Sequence, residues 1–167
     1  MFFIYCEGYF ISIGEDTNMK VLIIYSSIHH GNTEKVARIM ATSINADIIE
    51  TKNLKIDILD EYDLIGFGSG IYHGKFHKNI LNLIDKLPRL NNKKAFIFST
   101  SGLGKTKYNV PIVKELKKHN FEIIGSFACK GYDTFGFWGL FGGIAKGRPN
   151  DKDFQNAKNF AERLVSS

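Results

Sequence analysis

Residues 20–40 read KVLIIYSSIHHGNTEKVARIM, and the rest of the chain is arranged around this stretch. The apolar run 20–25 has the pattern of a strand buried on both faces of a parallel sheet, whereas Val36, Ile39, Met40 and Ile44 recur at helical spacing. A strand therefore feeds a helix. The turn between them, Ser26-Ser27-Ile28-His29-His30-Gly31-Asn32-Thr33, combines hydroxyls with one glycine and a helix opening. Free N–H groups and the positive dipole end of such a helix attract an anion. Two common phosphate cradles do not fit: a P-loop needs Lys-Ser/Thr after its glycine, and a dinucleotide fingerprint needs three spaced glycines. The turn suits a monoester phosphate held without metal. Without a ligand it would read as a plain strand-to-helix turn capped by Asn32.

Working outward, residues 46–51 (ADIIET), 63–68 (DLIGFG), 94–99 (KAFIFS) and 121–129 read as four more strands. Residues 79–87 carry Ile80, Leu83, Ile84 and Leu87 on one helical face and stop at Pro88. Tyr108, Ile112, Val113 and Leu116 mark another helix, and Asn150 caps a last one with Phe154, Ala157, Phe160, Ala161 and Leu164 inward. Gly66, Gly68 and Gly70 fail the dinucleotide spacing because Ile71 stands where the last glycine belongs, so they are expected to let backbone approach a flat ligand. Gly104-Lys105-Thr106 fails as a P-loop because Ser99 replaces the first glycine. Five strands alternating with helices predict a three-layer, doubly wound α/β domain with a parallel sheet.

Composition narrows the classes. A chain of 167 residues with 44% hydrophobic and 23% charged residues supports a single core. The net charge of +5 is carried by scattered lysines, which argues against a nucleic-acid stripe. Cys6 and Cys129 are too few and too far apart for a disulfide framework or a metal motif. No apolar run reaches the roughly 18 residues of a membrane span, and the opening MFFIYCEGYFISI carries Glu7 and lacks a basic start, so a cytoplasmic location is expected. Residues 1–18 form an extension, either a misassigned start preceding Met19-Lys20 or an added edge strand, and residues 19–167 form the domain.

Gly31-Asn32-Thr33-Glu34, after a Ser-rich turn, resembles the first loop of the flavodoxin family, and the Gly-Tyr-Asp-Thr at 131–134 and the Lys-Gly-Arg-Pro-Asn at 146–150 are similar to small bacterial and archaeal members. The turn is about one residue longer than in short-chain flavodoxins, and His29-His30 replace their small residues. The resemblance implies strand order 2-1-3-4-5 and FMN bound beyond the carboxyl ends of strands one and three. It implies Ser26, Ser27, His30, Gly31, Asn32 and Thr33 at the phosphate, Gly70, Ile71, Tyr72 and His73 at the ring, and Thr100, Ser101 and Gly102 on the ring's other side. The expected role is electron transfer to a redox partner protein or a small-molecule acceptor. Alternatives are an FMN-dependent oxidoreductase acting on NAD(P)H, a quinone or protoporphyrinogen, and a cofactor-free binding module. The third loop lacks the family's aromatic, which leaves room for a second ring and leans toward the enzyme.

Other residues carry open readings. Tyr72 is either a flavin-facing ring or a half-buried rim residue. Four histidines, His29, His30, His73 and His77, raise a metal hypothesis that no carboxylate or cysteine spacing completes, so no metal is expected. Cys129 reads as a buried small hydrophobe. Residues 135–144, ten uncharged positions with four aromatics and four glycines, are either a lid or a docking surface. Arg148 is a helix cap, a partner for Asp133 or a ligand contact.

Overall fold

A computed structural model of the chain describes residues 3–6, 9–12, 19–90, 93–134 and 142–166. Strands β1 (Phe3–Cys6) and β2 (Tyr9–Ser12) pair antiparallel with each other, Phe3 opposite Ser12. The strand-forming segment expected within residues 1–18 is thus a separate two-stranded sheet, outside the order of the main one.

The main sheet is built from β3 (Val21–Ser26), β4 (Asp47–Glu50), β5 (Leu64–Tyr72), β7 (Lys94–Ser101) and β8 (Glu122–Lys130), all parallel, in the order β4-β3-β5-β7-β8. Numbered along the chain these five strands run 2-1-3-4-5, as expected. A short strand β6 (Lys75–Phe76) folds back antiparallel on the end of β5. The helices are α1 (Asn32–Ser43), α2 (Lys78–Asp85), α3 (Val110–Lys118) and α4 (Asp151–Val165).

Alternation along each strand sends side chains to two cores. On one face Ile23, Tyr25, Phe96 and Phe98 meet Val36, Met40, Ala157 and Phe160 of α1 and α4. On the other, Leu22, Ile24, Phe67 and Ile97 meet Ile80, Ile84, Ile112 and Leu116 of α2 and α3. All six residues of β3 are buried, which is why its sequence shows no polar alternation.

Three boundaries differ from the sequence reading. Asn32 does not cap α1. Gly31, at φ 65, holds that position without a side-chain cap, while Asn32 is the first helical residue. The crossover from β4 to β5, to which the sequence reading assigned no element, is made by 3₁₀ turns at Thr51–Asn53 and Ile56–Glu61, so β4 ends at Glu50. Finally, β5 continues through Tyr72 because Ser69 and Gly70 still pair with Ser99 and Thr100. Gly66 and Gly68 do not face a ligand: a Cβ there would stand 2.3 and 2.0 Å from Phe96 and Phe98 Cζ, so these glycines seat core phenylalanines.

Candidate functional site

The carboxyl ends of β3, β5, β7 and β8 open onto one cleft. Seven of the expected ligand residues line it: Asn32, Thr33, Gly70, Ile71, Tyr72, Thr100 and Ser101. Parallel register makes this happen, since Ser26, Ser69 and Ser99 pair across adjacent strands and bring all three following loops to the same height.

The first loop turns sharply through His30 and Gly31, both left-handed at φ 58 and 65, and delivers the chain into α1. A left-handed histidine is strained by about 1–2 kcal/mol, so other contacts hold it. His30 Nε2 lies 2.9 Å from Thr134 Oγ1, and its ring packs 4.6 Å from that of Tyr132. Inside the turn, Asn32 Nδ2 donates to Tyr132 O at 2.7 Å, and the buried hydroxyls of Thr33 and Thr100 pair at 2.8 Å. Asn32 also lies so close to Gly131 that a Cβ there would come within 2.9 Å of Nδ2. The α1 terminus thereby gains rigidity while its first amides keep no side-chain cap.

Two serines of the turn have separate fates. Ser26, fully buried, sits 3.1 Å from His77 Nδ1. That nitrogen also accepts the Asn79 N–H at 3.3 Å as the cap of α2, which places the ring proton on Nε2 and makes Ser26 the donor. His77 is fixed from behind by its own N–H donating to Ser69 Oγ at 2.8 Å. Burial, then the Lys78 and His29 charges, hold its pKa below the ordinary histidine value. Ser27 Oγ, in contrast, is shut from solvent with no hydrogen-bond partner among the described residues.

The second loop is a tight hairpin. His73 and Gly74, at φ 49 and 76, join Tyr72 to Lys75, its partner across the pair. Tyr72 is half-buried, and its ring folds back over Gly70, where an added Cβ would meet Oη at 3.0 Å. Burial raises the phenol pKa, opposed by the backbone N–H groups of His29 and Ile28, so the oxygen faces the first turn. His29 and His77 flank the ring at 5.8 and 5.3 Å.

Of the remaining expected residues, His73 is exposed at the hairpin tip, and Gly102 packs beneath Ile144 Cδ1, 2.1 Å from where its Cβ would be. Ser26, Ser27, His30, Gly31, His73 and Gly102 are therefore behind or beside the lining. Four lining residues went unpredicted: His29, Gly131, Tyr132 and Asp133. The last three follow β8 and bring in the aromatic that the third loop lacks. Tyr132 N–H donates to Arg148 O at 2.8 Å, its hydroxyl donates to Gly142 O at 3.0 Å, and Asp133 exchanges backbone bonds with Ile144. The Gly131-Tyr132-Asp133 motif directly after the edge strand β8 was the available signal.

Arg148 makes a two-pronged pair with buried Asp153, the third residue of α4. Burial would raise the Asp153 carboxyl, but Arg148 and the Asn150 N–H hold it below the usual range. Cys129 is buried, and its thiol is pushed up to about 12 by burial and by Asp153. Among the described residues no group of three His, Cys, Asp or Glu side chains is placed to hold a metal, and no helix is long and apolar enough to cross a membrane. Residues 135–141, most of the aromatic and glycine-rich stretch, lie outside the described residues.

The donor set fits a phosphate monoester: an uncapped helix start and the orphaned Ser27 hydroxyl in the first turn, with Thr33 beside them and paired to Thr100 at the end of β7. Comparison with known proteins agrees with the geometry. The chain is 50% identical over 151 residues to an uncharacterized protein of Methanocaldococcus jannaschii, covering 89% of this chain and 100% of that one. It is 29% identical over 158 residues to the flavodoxin-like domain-containing protein BilS of Clostridioides difficile, covering 89% and 86%. Its fold matches a flavodoxin from the domain Archaea with a TM-score of 0.68 at 18% identity, covering 89% of this chain and 97% of that one. Oxidised flavodoxin 1 from Bacillus cereus follows with a TM-score of 0.65 at 19% identity, covering 88% and 97%. The flavodoxin domain profile itself matches residues 22–132, from inside β3 to Tyr132 on the cleft wall, and so the chain belongs to the flavodoxin family.

Proposed function

We propose that the cleft binds FMN and that the protein transfers electrons through the non-covalently held flavin. The observation that carries this reading is the first turn, where an uncapped α1 terminus and the partnerless Ser27 hydroxyl converge beside Thr33. Backbone amides of this turn, with Ser27 and Thr33, would hold the phosphate. Gly70, Ile71 and Tyr72 would border the ring on one side, and Thr100, Ser101 and Tyr132 on the other. When bound, the flavin supplies one- and two-electron redox chemistry.

The chain's own contribution is positioning and exclusion of water. The Thr33 and Thr100 hydroxyls share one hydrogen bond in which either can donate; with Thr100 as the donor, the Thr33 proton would be free for an anion. His77, neutral and tied to Ser26 and Ser69, fixes the second loop against the first instead of supplying a proton. Tyr132, which lines the cleft with Thr100 and Ser101, would narrow the side that the third loop leaves open, which favours a carrier over an enzyme needing a second ring beside the flavin.

A fluorescence titration with FMN and with riboflavin tests the reading, because riboflavin lacks the phosphate. FMN is expected to bind at least about tenfold more tightly, the worth of a charge-assisted anchor. Equal affinity would remove the phosphate from the account. A loaded protein that keeps its flavin colour in NADH or NADPH alone, and loses it once a reductase is added, behaves as a carrier.

A further inference from the structure

The rim of the cleft on the β5–β7 side is basic. Between residues 64 and 114 the only carboxylate is Asp85, against Lys75, Lys78, Lys86, Arg89, Lys93, Lys94, Lys105, Lys107 and Lys114. The fold gathers four of these at the cleft. Lys75 lies directly across the hairpin from Tyr72, and Lys78 opens α2 next to His77. Lys105 and Lys107 follow the third loop, and Lys107 stands 5.6 Å above the Tyr108 ring, which itself lies against the hairpin at Gly74. All four are exposed, and among the described residues none of them takes part in an ion pair.

Apolar surface sits within this charge. Among the described residues the exposed large hydrophobics are Ile28 at 49%, Leu103 at 48% and Val110 at 49%. Ile28 belongs to the first turn, while Leu103 and Val110 bracket Lys105 and Lys107 in sequence. Apolar positions set within a charged rim are the anatomy of a protein interface. A small anion would need neither the apolar positions nor lysines spread over two loops and a helix start. A lipid surface would call for aromatic anchors and a continuous amphipathic face, and none of these three residues is aromatic.

We propose that this rim docks an acidic redox protein, with Lys75, Lys78, Lys105 and Lys107 facing its carboxylates and Leu103 and Val110 at the apolar contact. The proposal rests on the electron-transfer reading above and names the partner class for that same cleft. Charge complementarity of this kind steers encounter and weakens with salt.

The test is a binding titration with an oxidised, acidic ferredoxin at about 20 mM and about 300 mM NaCl, a range over which the screening length falls severalfold. Complex formation needs no flavin, so the docking result stands whether or not FMN is held, and the visible spectrum of the same samples judges the flavin reading separately. The expected result is binding that weakens at least about tenfold across the salt range. In Lys105→Glu/Lys107→Glu the low-salt affinity falls about tenfold and the salt dependence flattens. The control Arg89→Glu/Lys117→Glu carries the same charge change at the opposite end of the sheet, where Leu90 N–H meets His119 O, and keeps the wild-type affinity. No binding at low salt, salt-independent binding, or equal loss in both double variants would overturn the proposal. So would salt-sensitive binding to phosphatidylglycerol vesicles, lost in the rim variant, with no affinity for the ferredoxin.

Discussion

Thr33→Val isolates the hydroxyl pair at the centre of the site, because valine keeps the threonine shape and removes the polar atom. Thr33 Oγ1 and Thr100 Oγ1 are 2.8 Å apart, in residues 2% and 3% exposed. Either single change leaves the other hydroxyl buried without its partner, which costs about 1–3 kcal/mol. Thr33→Val/Thr100→Val orphans nothing, so its destabilisation should fall short of the summed singles by about 1–2 kcal/mol. Urea unfolding of the four proteins without flavin reads this coupling directly. Ligand binding adds an independent arm. If Thr33 donates to the phosphate, its removal costs about 1.5–3 kcal/mol of FMN affinity, or roughly 10- to 150-fold, and leaves riboflavin affinity unchanged. Additive stability effects would refute the hydroxyl pair. Equal losses for FMN and riboflavin would refute the phosphate role while leaving the pair intact.

Gly68→Ala puts a Cβ 2.0 Å from Phe98 Cζ in the sealed core and should cost about 1–3 kcal/mol by thermal unfolding, with the cleft residues untouched. Arg148→Met leaves the Asp153 carboxylate buried with only the Asn150 contacts and should cost about 2 kcal/mol, discounted because Arg148 itself is partly exposed. The Asp153 pKa is depressed in the fold, so the wild-type contribution is present above the unfolded value near 3.9 and is lost as pH falls through the lower folded value; unfolding of wild type and variant should converge there. His77 is depressed too, so the unfolded chain binds the proton first: stability should be full above the unfolded value near 6.5 and decline as pH falls toward the folded one, a slope that His77→Asn removes while keeping a cap acceptor. Cys129, with its thiol near 12, should resist alkylation at pH 8 in the folded protein and react only on unfolding, followed by mass spectrometry in a Cys6→Ser background.

Burial on both faces made β3 legible, since a strand covered by α1 and α4 on one side and α2 and α3 on the other has no polar alternation to confuse its reading. The same run fixed the position of the first turn, and with it the cleft. Residues 51–61 were harder, because Ile56 and Ile58 pack from a 3₁₀ turn that carries no 3.6-residue period and Leu54 packs from the extended link before it. The true end of β5 depended on pairing with β7, a contact about thirty residues away in sequence that no local propensity encodes.

Within the site, local chemistry found Asn32 and Thr33 but misjudged what holds them. Asn32 reads as a cap because Asn commonly plays that part, yet its amide is claimed by Tyr132 across 100 residues. Likewise Ser26 has the hydroxyl of a phosphate ligand, and the fold commits it to His77. Tyr132 escaped because the expected aromatic was sought in the third loop, whereas the chain supplies it from beyond β8. The glycines of β5 show the reverse error: their spacing resembled a ligand approach, and two large rings of β7 account for Gly66 and Gly68.

The central claim is an FMN site at the first turn, and the visible absorption spectrum tests it most directly. The purified protein would be incubated with excess FMN and separated from unbound flavin by gel filtration. The account predicts a retained flavin band at close to one FMN per chain, lost when Thr33 and Ser27 are both replaced by non-polar residues in a protein that still folds. A folded wild-type protein that emerges colourless would contradict it.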